Sequence, residues 1–600
     1  MEKAKKIMIP ILAVITVIGI CISLDTTKIF IDTDIVFPIL LFFFLFLLYS
    51  QNMKIKDKRA SICSILLAAI LAGILVVGYS IHYDGNLKAI IGNGMAIIKS
   101  FLKWISYTLS FSAILFFLYT KVFPSQKEKG QRKLRFFTDN KISFFFLAFL
   151  LLLAYVPYFL FEFPGSFSTD SITEMSFALG PMNDLINHHP VFHIGVIWVC
   201  LKLGLWMGNS ITYGIAIYSI LQMIATAFTF SFVLYYLARK KVPNAVRAIV
   251  FLIFAFYPPF GFYSIIMWKD IPFALSLVWF VISLWEMASH TENFFKSWKW
   301  QLVFFFSAIF VMLFRNNGIY VIGLTLPFLV FWLKERRKRI LLLSLSLLLF
   351  WGIWKAPIFT AFHIQEGPVR EALSVPLQQI ARTVKYEGEQ LTEKQKEVIG
   401  KYLPAENLGE RYNPYISDQV KDLFNQQEWE ENKKEFITLW GELFLQYPGI
   451  YVESFLQGSS GYWYPEEKNW VIPNWFDYEE APEPFQNIRI PLLESSFITS
   501  LLQHCNERDI PIFSAFFSIG FLFWLYLIFA FYLIYQKRYQ LLLPYIPLFV
   551  LWLTITASPA WCEYRFAYGM FTVAPMLFTI TLWESRKNND QTKGEERNEN

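Results

Sequence analysis

The sequence predicts an all-α protein that crosses a membrane about fourteen times. Of its 600 residues, 55% are hydrophobic and 19% aromatic, whereas only 17% are charged. A soluble chain of this length carries more charge, and the 63 Phe and 20 Trp residues are typical of lipid-facing surfaces and interfacial belts. The net charge of +6 therefore indicates basic cytoplasmic loops and not a nucleic-acid surface.

The apolar runs give the order of the predicted spans. They lie at about 7–24, 35–50, 61–81, 101–122, 141–160, 211–237, 246–266, 271–289, 300–314, 318–333, 340–361, 511–535, 540–557 and 566–584. We place both termini in the cytoplasm, because the major basic clusters then all fall inside, as the positive-inside rule expects. We assign 190–207 to an outer interfacial helix, because a span there would place the basic stretch 239–247 outside.

These spans and loops divide the chain into five segments. They are a four-span module (1–138), a membrane core with an outer loop at 161–210 (139–362), a polar and mainly helical outer domain (363–510), a three-span module (511–584) and a charged, disordered cytoplasmic tail (585–600). Cys505 and Cys562 both fall on the predicted outer side, where they could form a disulfide.

The loop 161–193 interrupts the apolar runs with four acids and three of the seven histidines, and it has no Lys or Arg. Carboxylates and imidazoles together indicate chemistry at the membrane surface. Asp170 is the candidate general base, since a carboxylate can take the proton of an attacking hydroxyl. The alternative is helix capping, with Asp170 at the helix dipole and Ser171 and Glu174 as a capping box.

The histidines of this loop are His188, His189 and His193. The four-residue spacing of the last two places both imidazoles on one helix face, where they could bind a metal with carboxylates from elsewhere. This spacing alone is a weak signal for a metal, and the histidines could otherwise bind a phosphate or sugar, or cap the helix. A divalent cation is therefore one of the ligands that this loop could bind.

Three further charged positions lie in short outer loops. They are Lys269 with Asp270, Arg315 in FRNNG and Arg565 in CEYRF. Charges near membrane depth are costly and usually functional. Guanidinium groups bind phosphate oxygens in bidentate fashion, so these cations could clamp a phosphate. Snorkelling anchors, and an N-cap at Lys269-Asp270, are the alternative.

The strings PGSFSTDS, NHHPVFH, WKDIPF, FRNNG and EALSVPLQQIAR follow an order that resembles the C-type glycosyltransferase superfamily (GT-C). Its members are integral membrane enzymes that use polyprenyl-phosphate-linked sugars. They carry an acid in the first outer loop, then His-Pro and an outer juxtamembrane helix, which correspond here to Asp170, His189-Pro190 and 191–207. Lys269-Asp270 resembles their second outer loop. The chain resembles still more closely an uncharacterised family of bacterial multi-spanning proteins, over about 140–584. Ser171 departs from the adjacent Glu of familiar members.

The resemblance implies a glycosyltransferase in a bacterial plasma membrane, with 139–362 as its catalytic core. It would move a sugar from a polyprenyl-phosphate donor to a surface glycan, teichoic acid-like polymer or protein. Asp170 would be the base, and the donor-binding residues would be Glu174, His188, His189, His193, Lys269, Asp270, Arg315 and Arg565. The segment 363–510 would hold the acceptor. Its aromatic residues suit either sugar stacking or a packed core; they are Tyr462, Trp463, Tyr464, Trp470 and Trp475.

Two other functions are open. A transporter or flippase of lipid-linked saccharides would concentrate charges inside the bundle and show internal repeats, which are not evident here. A non-catalytic envelope assembly or sensor protein would be built around the outer domain and would tolerate loss of Asp170.

Overall fold

A computed structural model gives the fold. It describes residues 2–24, 36–124, 138–180, 185–472, 482, 484–486, 488–507, 510, 513–557 and 562–598, with side chains inside 7–584. Over these residues the all-α prediction is confirmed. The two strands found there, β1 (Ile186–Asn187) and β2 (Gln365–Glu366), form one short parallel pair.

The N-terminal module begins with five helices. They are α1 (Glu2–Cys21), α2 (Val36–Asn52), α3 (Lys58–Asp84), α4 (Lys88–Ile91) and α5 (Gly94–Phe117). The predicted first four spans correspond to α1, α2, α3 and α5. Asp57 caps α3 by accepting a hydrogen bond from the Ala60 N–H at 2.9 Å, and Gly85 ends α3 in the left-handed region at φ 66°.

The next four helices carry the outer loop. They are α6 (Lys141–Phe161), α7 (Thr169–Leu179), α8 (Val191–Gly208) and α9 (Ile211–Arg239). α8 crosses α9 at Gly204 and Gly214, where a Cβ on Gly204 would lie 2.1 Å from the Gly214 nitrogen. Small residues allow membrane helices this close approach. α8 has the length and composition of a span, so its interfacial placement stays a prediction.

The central bundle follows. Its helices are α10 (Asn244–Phe256), α11 (Pro258–Tyr263), α12 (Asp270–Ser289), α13 (Thr291–Lys296), α14 (Trp298–Phe314), α15 (Gly318–Trp332), α16 (Arg337–Ile353) and α17 (Phe359–Ala361). The predicted span 246–266 is divided between two helices, because α10 ends at Phe256 and the short helix α11 begins at Pro258. α12 lies at the centre of the bundle, with most of its side chains buried.

The outer segment has a hydrophobic core of its own. Its helices are α18 (Ser374–Glu387), α19 (Glu393–Tyr402), α20 (Leu408–Arg411), α21 (Asp418–Lys421), α22 (Gln426–Gln446) and α23 (Pro448–Ser459). Leu377, Phe436 and Leu443 are among the buried residues of that core. Arg382 fastens the segment to the N-terminal module by donating to the Gly85 carbonyl at 2.7 Å.

The aromatic stretch after α23 is packed inside the protein. Tyr462, Trp463 and Tyr464 are 0%, 8% and 1% exposed, so they cannot stack on a sugar. Tyr464 lies against Gly520, where a Cβ would come within 2.6 Å of its backbone. Trp470 is 39% exposed, and Trp475 lies outside the described residues.

The last helices are α24 (Ser496–Glu507), α25 (Ile519–Tyr535), α26 (Ile546–Ala557) and α27 (Tyr564–Asn598). α27 extends to Asn598, and the disorder of the tail 585–600 stays a prediction. The alternative of a Cys505–Cys562 disulfide is wrong. Both cysteines are buried free thiols, each bonded to a backbone carbonyl.

Nine helices of the described residues are long and apolar enough to cross a membrane. Six more apolar helices have 10–17 residues. Together they cover every predicted span and also α8. The membrane class is therefore supported by the fold, and the number fourteen stays a prediction.

The sidedness can be tested with Lys433→Cys, at an exposed position of α22. It should react with a membrane-impermeant thiol reagent on intact cells, because 363–510 is predicted outside. The five native cysteines are buried and provide a low background. Lys338→Cys, exposed on the predicted inner side, should react only after permeabilisation. The opposite pattern would reverse the orientation. Ser459 is fully buried and cannot be labelled.

Candidate functional site

Helix α7 positions the acids of the outer loop. The Ser168 N–H donates to Ser171 Oγ at 3.2 Å, so the capping box joins Ser168 and Ser171. The predicted box of Ser171 and Glu174 is wrong, because the helix begins before Ser171 and Glu174 lies in its interior. Ser171 Oγ donates in turn to the Met267 carbonyl at 2.7 Å, which ties α7 to the loop before α12.

Asp170 lies in the first turn of α7, and its side chain is 32% exposed. Its Oδ2 lies 2.7 Å from Arg565 Nη1 and 3.4 Å from Lys269 Nζ. Burial alone would raise the pKa of Asp170, but Arg565, Lys269 and His189 together hold that pKa well below its usual value. Asp170 is therefore an ionised, reachable carboxylate at neutral pH.

Glu174 lies one turn further along α7 and is 1% exposed. Its carboxylate contacts His193 Nδ1, and it lies 3.4 Å from Lys269 Nζ and 3.3 Å from His189 Nδ1. Burial favours a raised pKa for Glu174, but His193 and Lys269 outweigh it and lower the pKa. Glu174 is therefore too buried to contact a substrate. Its role is to position the Lys269 ammonium and the imidazoles of His189 and His193.

The three histidines lie in different environments. His193 is fully buried, and its Nε2 lies 2.7 Å from Tyr218 Oη. His189 is 3% exposed; burial first, and then Lys269, lower its pKa to about 4. His189 is therefore neutral near pH 7, and its Nδ1 accepts a hydrogen bond from Lys269 Nζ at 2.6 Å. The His188 ring packs edge-on against His189.

The metal alternative receives no support from the described part of the chain. Within it, no group of three or more His, Cys, Asp or Glu side chains is arranged to hold a metal ion. The Lys269 ammonium lies at hydrogen-bond distance from both the His189 imidazole and the Glu174 carboxylate, which are themselves 3.3 Å apart. A divalent cation stays a prediction without an assigned site.

Arg315 and Asp270 form a second pair beside this group. Arg315 Nη1 lies 3.0 Å from Asp270 Oδ1 and donates to the Phe566 carbonyl at 3.3 Å. The guanidinium also lies over the rings of Phe273 and Phe566. Asp270 is the first residue of α12 and follows Lys269 in the chain, so the two pairs share one helix end.

The structure adds residues that the sequence analysis did not single out. Glu563 contacts Arg565 Nε, and burial raises the pKa of Glu563 although Arg565 opposes the shift. Trp268 lies under the Arg565 guanidinium at 4.9 Å and donates to Ser168 Oγ at 2.8 Å. Both residues stand in the strings CEYRF and WKDIPF, beside predicted site residues. Tyr218 lies inside an apolar run and carries no comparable signal.

A model of a family of unknown function (DUF6020) matches residues 179–595. The chain belongs to this family. No curated protein and no solved structure matches the chain. The DUF6020 match includes Lys269, Arg315 and Arg565, and it begins C-terminal to Asp170 and Glu174.

Two cavities within the DUF6020 region adjoin the charged residues. The polar cavity has a volume of about 250 Å³, and its lining includes His188, Lys269, Arg315, Asn317 and Glu371. The apolar groove has a volume of about 580 Å³ and lies between α8, α9, α12 and α14. Its lining includes Phe192, Val196, Pro272, Trp279, Phe310 and Phe314.

Proposed function

We propose that the chain is a membrane glycosyltransferase that takes its sugar from a polyprenyl-phosphate-linked donor. The observation that carries this proposal is the position of the apolar groove beside the charged site. Phe314 lines the groove and Arg315 follows it in the chain, while Pro272 lines the groove two residues after Asp270. A ligand with a hydrocarbon tail and an anionic head matches both surfaces at once.

The donor phosphate would bind to the cations Lys269, Arg315 and Arg565. Lys269 and Arg315 line the polar cavity, so an anion placed there reaches both. Guanidinium groups held by buried carboxylates are pre-oriented, and such fixed charges stabilise a leaving anion without reorganisation at the moment of reaction. The phosphate would partly replace Asp170 and Asp270, which are the ion-pair partners of these arginines in the free protein.

The sugar would lie in the polar cavity. The lining offers amide, imidazole and carboxylate groups, a mixture that suits the hydroxyls of a sugar. Asn317 Oδ1 is buried and has no hydrogen-bond partner among the described residues, which favours a ligand that donates to it. The outer segment supplies Glu371 and Ser374 to this cavity, so the acceptor would approach from 363–510.

Asp170 would act as the general base. The acceptor hydroxyl gives its proton to Asp170 while its oxygen bonds to the anomeric carbon. The bond from that carbon to the phosphate oxygen breaks, and its electron pair leaves with the polyprenyl phosphate. Arg565 and Lys269 keep Asp170 a weak base in the free protein. When the donor phosphate draws these cations away, the basicity of Asp170 rises, so donor binding would prepare the base.

The proposal is tested with the purified chain in liposomes that contain a polyprenyl-phosphate sugar with a radiolabelled sugar. We expect the label to move to an added membrane-glycan fraction while free polyprenyl phosphate accumulates in equal amount. A flippase would instead move intact labelled lipid between leaflets, and an assembly protein would change neither quantity. Either of these results would contradict glycosyl transfer.

A further inference from the structure

The candidate site has a counterpart at the far end of the same two helices. α12 begins at Asp270 and α27 begins beside Glu563, and each runs about 30 Å through the bundle before residue 289 or 584. At that end lies a third cavity of about 510 Å³, here called the inner cavity. Its lining residues are Ala288, Ser289, His290, Lys537, Arg538, Tyr539, Gln540, Leu541 and Glu584.

The acids at the inner cavity already have partners. Glu584 Oε2 accepts a hydrogen bond from Trp285 Nε1 at 3.0 Å, and Glu584 Oε1 lies 3.6 Å from Lys240 Nζ. Glu286 lies behind the lining, where its Oε1 is 2.5 Å from Lys240 Nζ and accepts from Tyr236 Oη at 2.6 Å. These carboxylates are therefore compensated by groups outside the inner cavity.

Within the described part of the chain, Lys537 and Arg538, which line the inner cavity, lack the close ion pairs that the acids have. Arg538 Nη2 is buried and has no hydrogen-bond partner among the described residues. Burial lowers the pKa of Arg538, although Glu584 opposes the shift. The exposed side chain of Lys537 has no ion pair with any described side chain. Two backbone hydrogen bonds, Lys537 N–H to Ile534 O and Arg538 N–H to Leu533 O, hold both residues at the end of α25.

We propose that the inner cavity binds a phosphate-bearing ligand at the membrane face opposite the candidate site. A buried guanidinium nitrogen without a partner is costly, and a phosphate oxygen satisfies it with a charge-assisted hydrogen bond. Lys537 adds a second charge, and His290, Tyr539 and Gln540 add polar groups. The volume exceeds that of a bare ion and accommodates either a nucleotide or a phospholipid head group.

Binding experiments on the full chain distinguish these two sources. In neutral detergent, titration calorimetry measures the affinity for pyrophosphate and for uridine diphosphate. In nanodiscs, native mass spectrometry measures phosphatidylglycerol retained against a phosphatidylcholine background. Binding of a soluble probe identifies a soluble phosphate compound as the ligand. Retention of phosphatidylglycerol alone identifies a lipid head group. Either result supports a phosphate site in the inner cavity if the substitutions described below reduce binding of that ligand.

Arg538→Gln should lower the affinity for the bound probe roughly tenfold or more, and Lys537→Gln should also lower it, because each removes one charged partner of the phosphate. Lys338→Gln is the matched control, since it removes an exposed cation of the same predicted face outside the cavity. Lys537 is exposed, so its variant carries the test if Arg538→Gln does not fold. Asp170→Asn should bind the probe normally.

Two outcomes would overturn the proposal. One is that neither the soluble probes nor phosphatidylglycerol bind to the wild-type chain. The other is that Lys537→Gln, and Arg538→Gln if it folds, bind the probe as tightly as Lys338→Gln does. The result does not depend on glycosyl transfer, because the inner cavity shares no residue with the candidate site.

Discussion

Asp170→Asn should abolish glycosyl transfer and leave the protein folded. Asn is nearly isosteric with Asp, and its amide oxygen can still accept the hydrogen bond from Arg565, which keeps Glu563 as a partner. The variant loses the ability to take a proton from the acceptor hydroxyl. General-base catalysis contributes about 10²–10⁴-fold, so transfer from the labelled lipid donor should fall by that factor.

The matched control is Ser176→Ala, an exposed position on the same helix α7. It should retain wild-type transfer. Glu174→Gln is not a neutral control, because Glu174 is buried against His193 and Lys269 and its charge holds both. We expect that variant to lose stability as well as activity. Normal transfer by a well-expressed Asp170→Asn protein would remove Asp170 from the mechanism and, with it, the main chemical argument for an enzyme.

Arg565→Ala should reduce transfer by about 10²–10³-fold, the usual cost of losing one fixed donor to a developing anion. The change also leaves Asp170 and Glu563 without their shared cation, so a lower unfolding temperature should accompany it. Arg565→Lys separates the two effects. It retains the positive charge and should restore stability, but a single ammonium cannot bind two phosphate oxygens side by side, so activity should recover only in part.

Arg315 provides the parallel test in the second pair. Arg315→Lys keeps a charge near Asp270 and should weaken donor use, measured as a higher donor KM, with little change in unfolding temperature. Full activity of both Arg565→Ala and Arg315→Ala would mean that neither guanidinium binds the donor phosphate. The two residues would then be structural partners of buried carboxylates.

The sequence predicts the helices well because hydropathy is a local property. Each predicted span has an apolar helix, and the exceptions have local causes, such as the break before Pro258. Which helices touch is not local. Nothing in the loop 161–193 indicates that Asp170 pairs with Arg565, which lies 395 residues later. The start of α7 shows how sensitive such inferences are, because beginning the helix before Ser171 changes Glu174 from a cap into a buried anion.

The spacing of the histidines in the sequence also does not predict their separate roles. The His189–His193 spacing is compatible with a metal site, but in the structure His189 and Glu174 both contact a lysine from another loop. Burial then decides the chemistry, since His193 has no exposed surface while His188 lines the polar cavity. Exposure of this kind depends on packing between distant segments, which hydropathy and residue spacing do not encode.

The pairing of Asp170 with Arg565 also has a consequence for biosynthesis. A ribosome releases α7 into the membrane long before it makes α27, so Asp170 must wait for its arginine until almost the whole chain has been translated. Lys269 arrives earlier and can neutralise only part of the charge of Asp170 and Glu174. A chain truncated before α27 would lack Arg565, so Asp170 would lose its contact at 2.7 Å and keep the more distant contact with Lys269 at 3.4 Å.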